Sequence, residues 1–258
     1  MLAPELRAYA ETPDRFSVVA SGGTVERFMD ERVCVIQGLT WASVSSVNVG
    51  EYQVESLLAD VRGRVPAEKE ALWWIGPSAR PTDVYEQLQE LGLDEPRDGV
   101  PVLRVLCLTH EPAASVDVEV SRIDTFEQFV AARELAWDAF ATSEVRREKM
   151  RARLREEFDG SQRVGTPVGF LATIEGRPAG TALVVPAAHG VFLIGGSTAS
   201  WARGRGVYRA LVHARWEYAV SRGTPALVTH ANPNTSYPIL CRLGFEEVCT
   251  IRRLEDAR

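Results

Sequence analysis

The segment that most restricts what this chain can fold into is Gly195-Gly196-Ser197-Thr198-Ala199-Ser200-Trp201-Ala202-Arg203-Gly204-Arg205-Gly206-Val207-Tyr208. The apolar run Val191 to Ile194 reads as a strand leading into it. After it, Val207, Ala210, Leu211, Ala214 and Tyr218 recur at helical spacing, which predicts a helix over 207–222 stopped by Gly223. A strand, a glycine-rich turn and the start of a helix together make an anion site. The first helical turn carries free N–H groups and the positive end of the dipole, and glycines let a phosphate reach the backbone. Arg203 and Arg205 add charge-assisted donors. Taken alone, Arg-Gly-Arg-Gly also fits a surface turn or part of a nucleic-acid patch; its place between strand and helix favours phosphate. No Gly-Lys-Ser/Thr follows, so it is not a Walker loop, and the GxGxxG spacing of a dinucleotide site is missing.

The remainder of the C-terminal half reads as a regular series. Val116 to Val120 alternates like a strand. Asp124 or Thr125 can cap a helix through Phe140, and Glu144 to Phe158 predicts a second, highly charged helix. Val168–Ile174, the turn Glu175-Gly176-Arg177-Pro178 and Ala179–Val185 form a hairpin. Ala226–Thr229 is a buried strand, 232–236 a loop, Tyr237–Leu243 a short helix and Glu247–Leu254 a last strand. The order β-α-α-β-β-β-α-β-α-β implies a mixed α/β structure, an α+β arrangement with a mixed sheet.

The N-terminal half is less regular. Strands are expected at Val33–Ile36, Val44–Val49, Leu72–Ile75 and Val102–Leu108, and helices at Val54–Val61 and Pro81–Leu91. Ala71 to Leu93 repeats the pattern of Ala226 to Phe245: strand, Pro-containing loop, short helix, Leu-Gly-hydrophobic. That is consistent with an internal duplication and equally with the frequency of βαβ pieces. Glu111-Pro112-Ala113-Ala114 is a linker candidate, which divides the chain into residues 1–112 and 113–258.

Over about residues 116 to 256 the sequence resembles the GNAT superfamily of acyl-CoA N-acyltransferases. The family motif Gln/Arg-x-x-Gly-x-Gly/Ala aligns with Arg203-Gly204-Arg205-Gly206-Val207-Tyr208, and the hairpin Gly169–Gly180 and the block ending Leu243-Gly244-Phe245 follow the family order. The resemblance implies acetyl-CoA as co-substrate, held by Ser197, Thr198, Arg203, Gly204, Arg205, Gly206, Val207, Tyr208 and Asn232. It also implies transfer of the acetyl group to a primary amine of a small-molecule or peptide acceptor. Two positions depart from the family. Tyr208 stands where Gly or Ala is usual, and Leu240 stands where many members carry a tyrosine that protonates the leaving thiolate. Tyr237, one turn earlier, is the candidate acid, and His230 the candidate base, against a core-packing tyrosine and a polar strand-end residue. Leu240 and Tyr208 equally motivate a rival reading, a CoA-binding sensor or structural pseudoenzyme. The N-terminal half resembles the degenerate half-domains of tandem GNAT proteins. Its corresponding turn reads Gly50-Glu51-Tyr52-Gln53, acidic where an anion would sit, so this half is expected not to bind CoA.

Composition narrows the rest. The formal charge of −6 argues against a nucleic-acid partner. Arg146 to Arg155 is a basic run, but the interleaved Glu148, Glu156 and Glu157 make it a solvated helix face. Cys34, Cys107, Cys241 and Cys249 lack CxxC spacing and histidine neighbours, which points to reduced, packed thiols and no metal. No apolar run has the length of a membrane span and the N-terminus lacks a signal-peptide pattern, so the expected location is cytoplasmic. Trp137 and Trp216 on helix faces read as core or interface residues, which leaves a homodimer open.

Overall fold

The computed structural model describes residues 2–19, 25–114, 117–163 and 166–258. Its internal contacts divide the chain into one unit of Met1–Cys107 with His230–Arg258 and a second of Leu108–Thr229. Residues His230–Arg258 thus group with the N-terminal part of the chain.

In the first unit, α1 (Pro4–Glu11) leads to β1 (Glu26–Met29), β2 (Cys34–Gln37), β3 (Trp41–Ser45), α2 (Val54–Arg64), β4 (Glu70–Ile75), α3 (Val84–Glu90) and β5 (Val102–Leu108). The second unit holds β6 (Glu119–Arg122), α4 (Phe126–Ala139), α5 (Glu144–Arg151), α6 (Leu154–Ser161), β7 (Val168–Ile174), β8 (Arg177–Ala187), β9 (Gly190–Thr198) and α7 (Val207–Ser221). β10 (Leu227–Ala231) carries the chain back to the first unit, which α8 (Ser236–Arg242) and β11 (Glu246–Asp256) complete.

β1, β2 and β3 are antiparallel, and β3 then runs parallel to β4 with α2 as the crossover. β11 lies antiparallel between β4 and β5. Its assignment follows from side chains as well as from the ladder. Leu254 is fully buried in the same cluster as Trp73, Leu57 and Leu88. Asp256 is 2% exposed and accepts two hydrogen bonds from Arg62 of α2, at 3.1 and 2.7 Å. Glu255, equally buried, pairs with Arg97 at 3.1 Å. Buried carboxylates need such partners.

β6, β7, β8 and β9 form the antiparallel run of the second unit, and Leu227 and Val228 of β10 pair parallel with Val191 and Phe192 of β9. The β7–β8 turn places both Glu175 and Gly176 at positive φ, 52° and 74°, as a two-residue hairpin turn requires. Thr125 and Gln128 form a full capping box on α4. The single charged helix expected over 144–158 is two. α5 buries no residue fully and is held to α4 by half-buried Met150 and by the pairs Arg147–Asp138 and Arg151–Glu134; the chain restarts as α6 to bring Leu154 and Phe158 against α4. Val116 of the expected first strand lies outside the described residues, and the strand itself begins at Glu119. Trp137 and Trp216 are buried, at 4% and 7% exposure. Cys34 and Cys107 are packed as expected, whereas Cys241 is exposed. Among the described residues no helix is long and apolar enough to cross a membrane.

Candidate active site

The site is built where β9 ends and α7 begins. Pairing with β8 slips by one residue between Thr181/Ser197 and Leu183/Ile194, so β9 carries a bulge at Gly195-Gly196. A bulge interrupts the ladder and bends the strand just before the turn. Ser197, next on β9, is 6% exposed, and its hydroxyl is buried with no hydrogen-bond partner. An orphaned buried hydroxyl of this kind is a candidate contact for a bound ligand.

A short 3₁₀ turn over Ser200–Ala202 follows, and then Gly204 and Gly206 at φ 78° and 79°. Gly206 is the N-cap of α7, and no side chain caps that end. The first-turn N–H groups are thus left to a ligand or to water. Arg203, Arg205 and Arg209 are exposed around this opening. Among the described residues none of them forms an ion pair, although most arginines of α4 to α6 do. Arg177 and Arg205 flank the Trp201 ring, with Cζ at 4.2 and 5.7 Å from its centroid. On the outer side of the turn a hollow of about 610 Å³ is lined by Asp117, Ile174, Glu175, Gly204 and Arg205. Its two carboxylates make it a poor cradle for phosphate.

Tyr208 does not block the helix end. Its ring lies over Gly196: a Cβ built there would stand 3.0 Å from the ring's Cε2. The unusual residue of the motif is thereby matched by a glycine on the facing strand. The buried face of α7 also differs from the expected one. Val212, Arg215, Trp216 and Ala219 are buried with Val207, Ala210 and Leu211, while Ala214 and Tyr218 are only half-buried. Arg215 was not legible as a site residue; an arginine in register with the buried row of a helix was the available signal.

Ser197, Thr198 and the residues from Arg203 to Tyr208 come together in the second unit, whereas His230, Asn232 and Tyr237 are counted with the first. His230 Nε2 bonds the Ala10 carbonyl at 2.9 Å; since a carbonyl only accepts, Nε2 carries the proton. Burial lowers the ring's pKa to about 4, opposed by the Ala10 contact and aided by the charge of Arg253. Asn232 shapes its own loop: Oδ1 accepts from Asn234 N at 2.8 Å and its carbonyl accepts from Tyr237 N at 3.0 Å. Tyr237 donates to Glu247 Oε2 at 2.9 Å, and this carboxylate, with Cys241, pushes the phenol up to about 12. Leu240 is buried at 1% exposure and serves as a core residue.

Two antiparallel runs in one chain, each ending in a parallel strand pair joined by a helix, invite comparison with solved structures. A GCN5-related N-acetyltransferase from Kribbella flavida superposes with a TM-score of 0.65 at 17% identity, covering 91% of this chain and 90% of that one. A tandem GNAT protein from the clavulanic acid biosynthesis pathway gives 0.61 at 16% identity, over 98% and 88%. This chain has the tandem GNAT fold. A functionally unknown conserved protein from Staphylococcus epidermidis shares it, with a TM-score of 0.63 at 10% identity over 93% and 96%. No family model matches the sequence, and no curated protein matches it. Within the GNAT fold, β7 to β10 and α7 supply the motif-bearing half, and β1 to β4 with α2 repeat its layout without the motif.

Proposed function

We propose that the second unit binds an acyl-CoA at the Arg203–Tyr208 turn and that the protein transfers the acyl group to a primary amine. The observation that carries this reading is the uncapped N-terminus of α7, entered through two left-handed glycines and surrounded by unpaired arginines. The residues present fit the cofactor. The amides of Val207 and Tyr208 and the guanidinium groups of Arg203 and Arg205 would take the pyrophosphate, and the bulged β9 with the Ser197 hydroxyl would take the pantetheine arm.

Bound acyl-CoA supplies the activated thioester: the amine nitrogen forms the new C–N bond, the C–S bond breaks, and the amine's proton leaves to the thiolate or to water. The task of this chain is orientation, which by itself supplies much of the acceleration. The β9 bulge, where the ladder with β8 is interrupted, would offer backbone amides to polarise a carbonyl. No single acid or base is required. The thiol is a good leaving group of ordinary pKa, Leu240 replaces the usual acid, and the Nε2 of His230 already carries its proton. Acetyl-CoA is the simplest donor; a small molecule or peptide is the acceptor class.

Leu240, together with a Tyr237 engaged by Glu247, also favours a second reading, a CoA-binding protein without turnover. The test is release of free CoA thiol from acetyl- and succinyl-CoA across a panel of primary amines. Amine-dependent release supports transfer; CoA binding without release for any amine supports the second reading.

A further inference from the structure

α7 holds one charged side chain that the proposed chemistry leaves unused. Arg215, two turns from the N-terminus, is 1% exposed. Its Nε donates to the Leu211 carbonyl at 2.9 Å, one turn back, which folds the side chain toward the N-terminal end of the helix. Its Nη2 is buried and has no hydrogen-bond partner. No carboxylate among the described residues pairs with it. Tyr208 is its side-chain neighbour, a neutral phenol within hydrogen-bonding reach, with its ring centroid 5.9 Å from Cζ. That same ring rests on Gly196 of the β9 bulge. Guanidinium, tyrosine ring and bulge therefore stand in sequence from the buried face of α7 to the strand.

A buried guanidinium without a counter-ion is costly, and a methionine of similar length would pack there without that cost. Burial pushes the group's pKa down, yet arginine stays charged at neutral pH. The arrangement is explained if an anion arrives with the ligand. The planar fork of arginine suits a carboxylate best.

We propose that the acyl group of the donor ends in a carboxylate, as in malonyl- or succinyl-CoA, and that Arg215 pairs with it beside Gly196 once the Tyr208 ring turns aside. This rests on the acyl-CoA reading of the Arg203–Tyr208 turn and narrows its donor. The carboxylate is a handle only. Transfer yields the N-acyl amide and free CoA thiol, and the carboxylate is unchanged.

Titration calorimetry of the full chain with CoA, acetyl-CoA and succinyl-CoA tests it, on wild type, Arg215→Met and Arg215→Lys. Succinyl-CoA is expected to bind wild type about tenfold or more tighter than acetyl-CoA, as one charge-assisted pair allows. In Arg215→Met the two donors should bind alike, with the affinity for CoA itself retained; Arg215→Lys should keep part of the preference. If Arg215→Met does not fold by circular dichroism, the wild-type comparison and the lysine variant still decide. Equal affinities in wild type, or a preference that survives in Arg215→Met, overturns the role of Arg215. Binding of none of the three, CoA included, overturns the acyl-CoA reading and this proposal with it.

Discussion

Gly206 is the residue on which the opening of α7 depends. Its φ of 79° is left-handed, and it caps a helix that has no side-chain cap. A β-branched residue resists that conformation and fills the space a pyrophosphate would use. Gly206→Val should therefore weaken CoA binding by about tenfold or more while far-UV circular dichroism stays native. An unchanged dissociation constant in the folded variant would remove this turn as the phosphate site. His230 has a different part. With its pKa lowered to about 4, the ring stays neutral in the folded protein at pH values where the unfolded chain, near 6.5, takes up a second proton. Acidification from pH 6.5 toward 4 thus favours unfolding, and the contribution is fully present only above 6.5. His230→Asn should flatten that slope in thermal melts between pH 7 and 5; a slope equal to wild type would show that the ring is not held neutral. Catalysis should survive in both His230→Ala and Tyr237→Phe, with kcat/KM lower by roughly a hundredfold at most, the low end for acid–base help. Complete loss of turnover with CoA binding intact would identify an indispensable residue.

At the scale of elements, α1 shows what the sequence hid. The Glu11 carboxylate accepts from both the amide and hydroxyl of Ser78, at 2.7 and 2.6 Å, in the loop after β4. Asp14 accepts from Ser43 of β3 at 2.5 Å, and His230 reaches back to Ala10. The α1 segment is thus fastened where β3 and β4 end their pairing at Val44 and Trp73. Glu11→Ala hands the exposed Ser78 donors to water and should cost about 0.5–1.5 kcal/mol in urea unfolding, with faster amide exchange confined to α1. No change in either would mean that α1 is held by apolar contacts alone. Pro4 opens this helix but no capping side chain precedes it. Its anchors lie 67 and 220 residues away, so nothing local announces it. By contrast α4 carries its capping box in sequence, β5 runs from Val102 to Leu108 as its apolar run foretells, and the Glu175-Gly176 turn declares the β7–β8 hairpin. Elements whose signals are local were legible. The splitting of α5 from α6 was not, because it depends on Phe129 receiving Phe158, with ring centroids 5.6 Å apart.

For the whole molecule, the repeat noted between Ala71–Leu93 and Ala226–Phe245 falls on β4–α3 and β10–α8; ahead of each segment stand β3–α2 and β9–α7, with β3 parallel to β4 and β9 parallel to β10. The place of β11 between β4 and β5 leaves no local mark, because it rests on Leu254, Glu255 and Asp256, whose partners are distant in sequence. The phosphate turn was legible because glycine, arginine and the helix start are adjacent. Arg215 was not, because its significance lies in the lack of a partner in three dimensions. The two halves differ at the decisive turn. In the first, Gln53 stands at the N-cap of α2, which like α7 has no side-chain cap, but its side-chain oxygen accepts from the Gly50 amide at 3.0 Å and Glu51 brings a negative charge. In the second, the helix end is uncapped and ringed by arginines. The most direct test of the account is a calorimetric titration of CoA into the full-length chain. One CoA bound per chain is the predicted result; two equivalent sites, or no binding at all, would contradict it.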